Sequence, residues 1–449
     1  MQVDDDWASM KELELSQPTD YSRYRRLQRC YLRNRKDPYS KPLPAYENAV
    51  MSWALQSKAK KHEHCETLLR AVANPMMLNV SLRELIPKLK RREKEFGHIE
   101  SDPSGKWNWL RNLQTSLIEE TFCRSKYQKY KIPKLGKQGY RTIEVPCAET
   151  RVVVKTMQKV LVPLLDPAFY QLSIGFRPNR STLHGLAAVE QLRRRGMEHW
   201  VKCDIRDAFG QIPKPTLLEV LNSRLHGSPI MWLVEEVLDR NRKRGIPQGI
   251  SISPLAMNVY LDHFLDNWWV KRFPDTCLVR YADDILITCR TRQSAIEAFE
   301  ALQNQAKTIG MPLNERQTDA VFDLSRGDVV DWLGFQIQSQ GEELNYSLGP
   351  KSWDRLKFKF QEVKERKAKG ESYMQTDITS IGFGRVLEKA VAIEESKVAA
   401  VARQIRELAN EANLDITSFT DEEAADAWCI GQQKWHKARE DVLPWLPAN

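Results

Sequence analysis

Leu278-Val279-Arg280-Tyr281-Ala282-Asp283-Asp284-Ile285-Leu286-Ile287 is the stretch on which the reading of this chain turns. Two runs of β-forming residues flank a short acidic break. That pattern predicts a hairpin with two carboxylates at or near its tip. Carboxylates held at a rigid turn offer the hard oxygen ligands that Mg²⁺ takes. Mg²⁺ in such surroundings serves phosphoryl or nucleotidyl transfer. An Asp-Asp pair by itself is more often a solvated turn, so the weight lies on what accompanies it.

A second strand is expected at His199-Trp200-Val201-Lys202-Cys203-Asp204-Ile205, continuing into Arg206-Asp207-Ala208-Phe209. Between the two acidic sites stands Arg244-Gly245-Ile246-Pro247-Gln248-Gly249, then Ile250-Ser251-Ile252-Ser253-Pro254-Leu255. Downstream comes Trp332-Leu333-Gly334-Phe335, and upstream Ser173-Ile174-Gly175-Phe176-Arg177-Pro178-Asn179-Arg180-Ser181. In this order the segments resemble a prokaryotic reverse transcriptase of the group II intron-like type, over roughly residues 130 to 360.

The resemblance implies an α+β, right-hand polymerase fold: fingers, a palm with a small antiparallel sheet, and a helical thumb. It implies an RNA-directed DNA polymerase that adds dNTPs to a primer with two Mg²⁺ ions. Asp204 and Asp283 would bind both ions, the backbone carbonyl of Ile205 would complete one shell, and Asp284 would be a weaker or indirect ligand. Asp207 is left with a structural part. Phe209 would lie under the sugar and exclude a 2′-hydroxyl, the group that separates RNA from DNA; the plainer alternative is a core phenylalanine. Gln248 and Gly249 would begin a turn beside the nucleotide. Lys134 and Arg141, on an expected fingers hairpin, would clamp the triphosphate through charge-assisted contacts, unless they are solvated hairpin charges; Arg151 is a further candidate. Trp332 to Phe335 would hold the primer end. The sequence departs from the family at Glu315-Arg316-Gln317-Thr318, where a lysine usually precedes the threonine. Arg316 keeps the charge there, but its high pKa makes it a poor proton donor.

Composition agrees with a polyanionic partner. The 449 residues carry a net charge of +9 and a pI near 9.0, with 42% hydrophobic and 28% charged residues. Tyr21 to Lys36 gathers Arg23, Arg25, Arg26, Arg29, Arg33, Arg35 and Lys36 around Tyr24 and Tyr31, with no acid. Guanidinium groups beside stacking faces suit single-stranded RNA or DNA; a solvated basic helix is the alternative. Eight scattered cysteines without a Cys-x-x-Cys pair fit reduced thiols of a cytoplasmic protein. His62-Glu63-His64-Cys65 lacks a second ligand cluster nearby, which argues against zinc. No secretory signal and no membrane-spanning run is visible.

Three regions follow. Residues 1–120 read as a helical, basic extension suited to RNA binding, with Leu82, Leu85, Ile86 and Leu89 at helical spacing and Pro87 expected to kink or shorten that helix. Residues 121–345 read as fingers and palm, with strands at Tyr130–Lys134 and Tyr140–Pro146 and a helix from about Val152 to Leu165. Residues 346–449 read as a helical thumb and C-terminal region, in which Leu387, Val391, Val398, Val401, Ile405 and Leu408 point to one bundle helix. Trp428, Trp435 and Trp445 are expected to be docked. No Cys/His-rich nuclease module follows, so a stand-alone enzyme with a dedicated structured non-coding RNA in antiphage defence is favoured. The alternatives are an RNA-binding intron maturase and a template-independent or protein-primed DNA polymerase. Expected partners are an RNA template, its DNA product and dNTPs, with no membrane; homo-oligomerisation stays open.

Overall fold

The computed structural model describes residues 67–89, 103–133, 139–341, 343–368 and 375–447. These residues form helices and a two-stranded, a four-stranded and a three-stranded sheet, the α+β class expected. The basic run Tyr21–Lys36, the His62–Cys65 cluster and Lys134 lie outside the described residues. Chain contacts divide the molecule into two compact units, which the chain enters in turn.

One unit takes residues from before position 132, Thr142–Phe169 and Asp207–His263. Its helices include Thr67–Ala73, Pro75–Leu89, Pro103–Ile118, Ala148–Leu165 and Ser253–Leu261. The Ala148–Leu165 helix starts about one turn before its apolar stripe; it buries Val153, Met157, Val160, Leu161 and Leu164 as the 3.6-residue period requires. It packs on Pro75–Leu89, where the buried Thr156 hydroxyl donates to Ser81 Oγ at 2.7 Å. Pro87 does not cut that helix short; it occupies the last turn before Leu89. Strands β1 (Gln128–Pro133) and β2 (Tyr140–Val145) form the expected hairpin sheet.

The other unit takes Ile132–Arg141, Tyr170–Arg206 and Phe264–Asn449. At its centre stand β3 (His199–Asp204), β4 (Cys277–Tyr281), β5 (Asp284–Cys289) and β6 (Val321–Asp323), in the order β4-β5-β3-β6 and antiparallel throughout. β4 and β5 are buried along nearly their whole length. Helix Thr182–Arg194 packs on both of them, and helix Arg292–Thr308 packs on β3 and β5. The second sheet, β7 (Val330–Trp332), β8 (Phe335–Gln340) and β9 (Glu343–Ser347), shares the same core: Trp200, Val279 and Leu286 lie in one cluster with Trp332, Phe335 and Ile337.

Four helices follow: Pro350–Ala368, Gln375–Lys389, Val398–Glu411 and Asp421–Asp441. The single helix expected through Leu387 and Leu408 is two helices, separated by turns at Ala390–Ala392 and Glu395–Lys397. The last helix packs beside the break. Trp428 Nε1 donates to the Ile393 carbonyl at 2.8 Å, and Gln432 Nε2 donates to the Ala390 carbonyl at 3.0 Å. Carbonyls near the helix end find partners on the last helix, and the Ala390 carbonyl also accepts from Ile393 N at 3.0 Å in a short turn. That last helix places Ala424 and Ala427 in the bundle core and Trp435 and Ala438 in the sheet core. Trp445 stacks on His184, with Arg180 4.0 Å from its ring centre. The three tail tryptophans are docked, as expected.

Lys389 ends its helix inside this unit, 7% exposed. Its ammonium donates to the Leu333 and Gly334 carbonyls at 3.4 and 3.3 Å and lies 3.7 Å from the Phe335 ring centre. Burial pushes its pKa down to about 7, aided by Arg385 and Arg355 and opposed by Glu388. An unfolded lysine keeps its proton to about 10.4. Between those values the unfolded chain binds more protons, so this group's contribution to stability rises with pH. Lys389→Met removes the titration. In thermal melts between about pH 7 and pH 9, the parent is expected to gain up to about 1.4 kcal/mol per pH unit over this variant. Parallel stability curves would contradict the burial argument.

Candidate active site

The hairpin that the acidic motif predicts is β4–β5. Tyr281 pairs with Asp284, and Ala282 and Asp283 form a two-residue loop. Ala282 sits at φ +61°, a left-handed conformation that costs a non-glycine residue about 1–2 kcal/mol. The turn is backed by Gly175, where a Cβ would stand 2.2 Å from Ala282 N. Only glycine lets that segment lie flat against the turn.

β3 runs antiparallel beside β5 in a register that sets Asp204 directly opposite Asp284. Such cross-strand partners have Cα atoms about 4.5–5.5 Å apart and side chains on one face. Asp283 joins them through its backbone, its carbonyl accepting from Ile205 N at 3.1 Å. Burial and then the Asp204 charge push the Asp283 carboxyl up. Burial, Asp204 and Asp283 push Asp284 to about 7, against the pull of Lys202. Acidic groups that raise each other's proton affinity favour a cation between them. Among the described residues no three such ligands form a ready-made ion cage. Carboxylate oxygens gathered in this way suit a hard cation.

Asp204 is held by a loop that the sequence does not connect to it. Asn314 Nδ2 donates to Asp204 Oδ2 at 2.8 Å, and Asn314 N donates to the Asp204 carbonyl at 2.9 Å. Asp204 N donates to Glu315 Oε2 at 2.7 Å, while Glu315 Oε1 pairs with Lys202 at 3.4 Å. Glu315 is thus a site residue missed from sequence, because 111 positions separate it from Asp204 and no spacing rule joins them. Arg316 is exposed and precedes the short Gln317–Ala320 helix. Arg141 is exposed, and its charge lowers the Asp283 pKa.

In the same unit a cavity of about 260 Å³ is lined by Lys202, Tyr281 and Asp284 together with Leu333, Gly334 and Arg355. Leu333 at φ +51° and Gly334 at φ +79° make the tight β7–β8 loop, the type I′ geometry of two-residue hairpins. The expected primer-holding turn therefore opens on the same space as Asp284.

Phe209, Gln248, Gly249 and Arg151 belong to the other unit, where backbone bonds lock their segments together. Ile246 N donates to the Phe209 carbonyl at 2.8 Å, and Gly245 N to the Ile212 carbonyl at 2.8 Å. Glu144 N of β2 donates to the Gln248 carbonyl at 2.6 Å. Gly249, at φ +122°, lies so close to β2 that a Cβ would stand 2.8 Å from the Glu144 carbonyl oxygen. Ser253 Oγ donates to the Pro247 carbonyl at 2.5 Å, and Pro254 occupies the first turn of its helix, where its missing N–H is harmless. Phe209 and Gln248 are half-buried. Arg151 is half-buried in the first turn of its helix. Asp207 adopts φ +44°, and its carbonyl accepts from Gly210 N and Gln211 N. Glu144 is a second residue missed from sequence: buried, it pairs with Arg242, which also holds Asp239 at 2.9 Å.

Comparison with known proteins agrees with the motif order. Residues 132–337 match the reverse transcriptase (RNA-dependent DNA polymerase) family. The putative COX1/OXI3 intron 2 protein of Saccharomyces cerevisiae is 26% identical over 226 residues, 47% of this chain and 26% of the relative. The group II intron-encoded protein LtrA of Lactococcus lactis subsp. cremoris is 26% identical over 169 residues, 35% of this chain and 28% of the relative. This chain thus spans about a quarter of the length of those curated relatives. A telomerase structure from Candida albicans aligns with a TM-score of 0.39 at 13% identity, over 73% of this chain and 65% of that one. The acidic hairpin, the Pro-Gln-Gly loop and the strand carrying Asp204 all lie within the matched stretch, and residues 132–337 are a reverse transcriptase domain.

Proposed function

We propose that the protein extends a primer with dNTPs along an RNA template, with Asp204, Asp283 and Asp284 as the reaction centre. The observation that carries this reading is the ladder register that sets Asp204 opposite Asp284, with Asp283 at the adjoining turn. The reaction joins the primer 3′-hydroxyl oxygen to the α-phosphorus of the dNTP and releases pyrophosphate. Two Mg²⁺ ions, when bound, supply Lewis-acid stabilisation of the attacking and leaving oxygens. Asp204 and Asp283 would hold them, with the Ile205 carbonyl, and Asp284 would act indirectly. Glu315 and Asn314 keep Asp204 from turning away. Lys134, Arg141 and Arg316 supply positive charge for the triphosphate, and Arg151 adds to it.

Asp204→Asn or Asp283→Asn is expected to reduce Mg²⁺-dependent dNTP incorporation at least about 10³-fold with the melting temperature retained, because each removes a charged ligand. Purified, folded variants that still incorporate at the parental rate would refute the assignment.

Phe209 is only partly covered by the protein, which suits a ring that meets the sugar of an incoming nucleotide. Phe209→Ala is expected to raise ribonucleotide use relative to deoxynucleotide use by about tenfold or more, since each 1.4 kcal/mol of relieved clash is a factor of ten. An unchanged dNTP/NTP ratio would return Phe209 to a packing role.

The biological setting we propose is antiphage defence by a stand-alone cytoplasmic enzyme that copies part of one structured non-coding RNA into DNA. Its support is the set of polymerase motifs, together with an N-terminal basic, aromatic run suited to holding RNA by backbone and stacking contacts. Cells carrying the gene with its native flanking DNA are expected to plate phage poorly, and cells with the Asp283→Asn version normally. Equal plating across a broad phage panel, with excision of a flanking intron that needs the protein, would favour the maturase reading.

A further inference from the structure

Among the described residues Arg280 is the one arginine in the group of largest fully buried side chains, and it stands two residues before the acidic turn. It makes a two-pronged pair with Asp266, Nε to Oδ1 at 2.8 Å and Nη2 to Oδ2 at 2.5 Å, and both side chains are 0% exposed. The guanidinium also reaches two further groups. Nη2 donates to Ser173 Oγ at 2.6 Å, and Nη1 donates to the Ala282 carbonyl at 2.9 Å. Ala282 is the left-handed residue of the turn. Ser173 belongs to the segment whose Gly175 lies against the Ala282 backbone. That segment is also bonded to β4 by its backbone, with Arg280 N donating to the Leu172 carbonyl and Ile174 N to the Arg280 carbonyl.

Stability alone does not account for this arrangement. Two fully buried charges pay a desolvation cost that their attraction often only balances, and apolar replacements of similar volume are commonly neutral or stabilising. A rigid planar fork, by contrast, fixes several acceptors at once in set directions. Asp266 ends a π-helical turn, Asp262–Asp266, in the chain between Leu261 and Asn267. Such turns are rare and recur at functional sites.

We infer that Arg280 is a positioning residue: held by Asp266 and Ser173, it grips the Ala282 carbonyl and so sets the orientation of the turn that presents Asp283 and Asp284. The inference rests on the proposed reaction centre, and it adds that a buried ion pair imposes the geometry of that centre.

The test separates the charge pair from the grip. Arg280→Met with Asp266→Leu removes both charges together and keeps the volume, so the doubly substituted protein is expected to melt within about 5 °C of the parent. Its kcat for dNTP incorporation is expected to fall at least about 30-fold, with the KM for dNTP changed less than about threefold. Hydrogen exchange of the peptide spanning residues 281–285 is expected to speed up, while that of β3 stays parental. Adding Ala282→Gly, which removes the steric cost of the left-handed turn, is expected to restore part of the lost kcat. Arg280→Lys covers the case of a double variant that does not fold. Lysine keeps the charge on Asp266 but lacks the planar fork, and kcat is again expected to drop at least about tenfold. Parental kcat and parental exchange in either variant would overturn the inference. A parent protein that incorporates no dNTP would defeat the proposed function instead, and the exchange of residues 281–285 would still decide whether Arg280 holds the turn.

Discussion

The pairing of β3 with β5 is the constraint on which the site depends. It sets Asp204 and Asp284 opposite each other on one face, with Asp283 at the turn. Like charges in that position repel, and burial adds to the cost, as the raised proton affinities of Asp283 and Asp284 record. The opposing term is apolar. Trp200, Val201, Cys203, Ile285, Leu286 and Ile287 in the same two strands are all fully buried, and each large side chain so buried contributes about 1.5–3 kcal/mol. Both faces of these strands are buried, so a slip of one residue would press side chains shaped for one face into the packing of the other. The core therefore fixes the register, and the register brings the carboxylates together.

Around that ladder, polar groups act by direction rather than by strength. Glu315 and Asn314 hold Asp204 from the side. The segment from Leu172 to Gly175 lies along β4 and the turn. In the other unit the same principle holds Gln248 and Gly249 to the backbone of Glu144, while Arg242 keeps the buried Glu144 charge compensated. Each contact is modest in energy. Together they leave the reactive side chains few orientations, which is what catalysis by positioning requires.

The last long helix shows how far from a site its supports can lie in sequence. Ala424 and Ala427 pack in the helical bundle and Trp435 and Ala438 in the core behind the sheets. Its Arg439 donates to Glu190 at 2.6 Å, and Tyr346 of β9 also donates to Glu190, at 3.3 Å. Among the described residues no helix is long and apolar enough to cross a membrane. The six described cysteines are free, and burial pushes the thiols of Cys203, Cys277 and Cys289 up.

Sequence by itself determined what is local or periodic. The hairpin around Ala282-Asp283, the strand ending at Asp204, the helix of Val153 and Leu164 and the α+β class were legible, because β and helical periods show in runs of five to eighteen residues. The domain family was legible because its motifs are short and ordered along the chain. Tertiary structure decided the rest. It split the helix expected through Leu387 and Leu408, at a break whose carbonyls bond Trp428 and Gln432 of the last helix. It brought Glu315 to Asp204, Glu144 to the Pro-Gln-Gly loop and Asp266 to Arg280. Those pairings depend on which strands and loops meet, and a single residue's type carries no record of its partner, whether that lies 14 positions away, as for Asp266 and Arg280, or 111, as for Asp204 and Glu315.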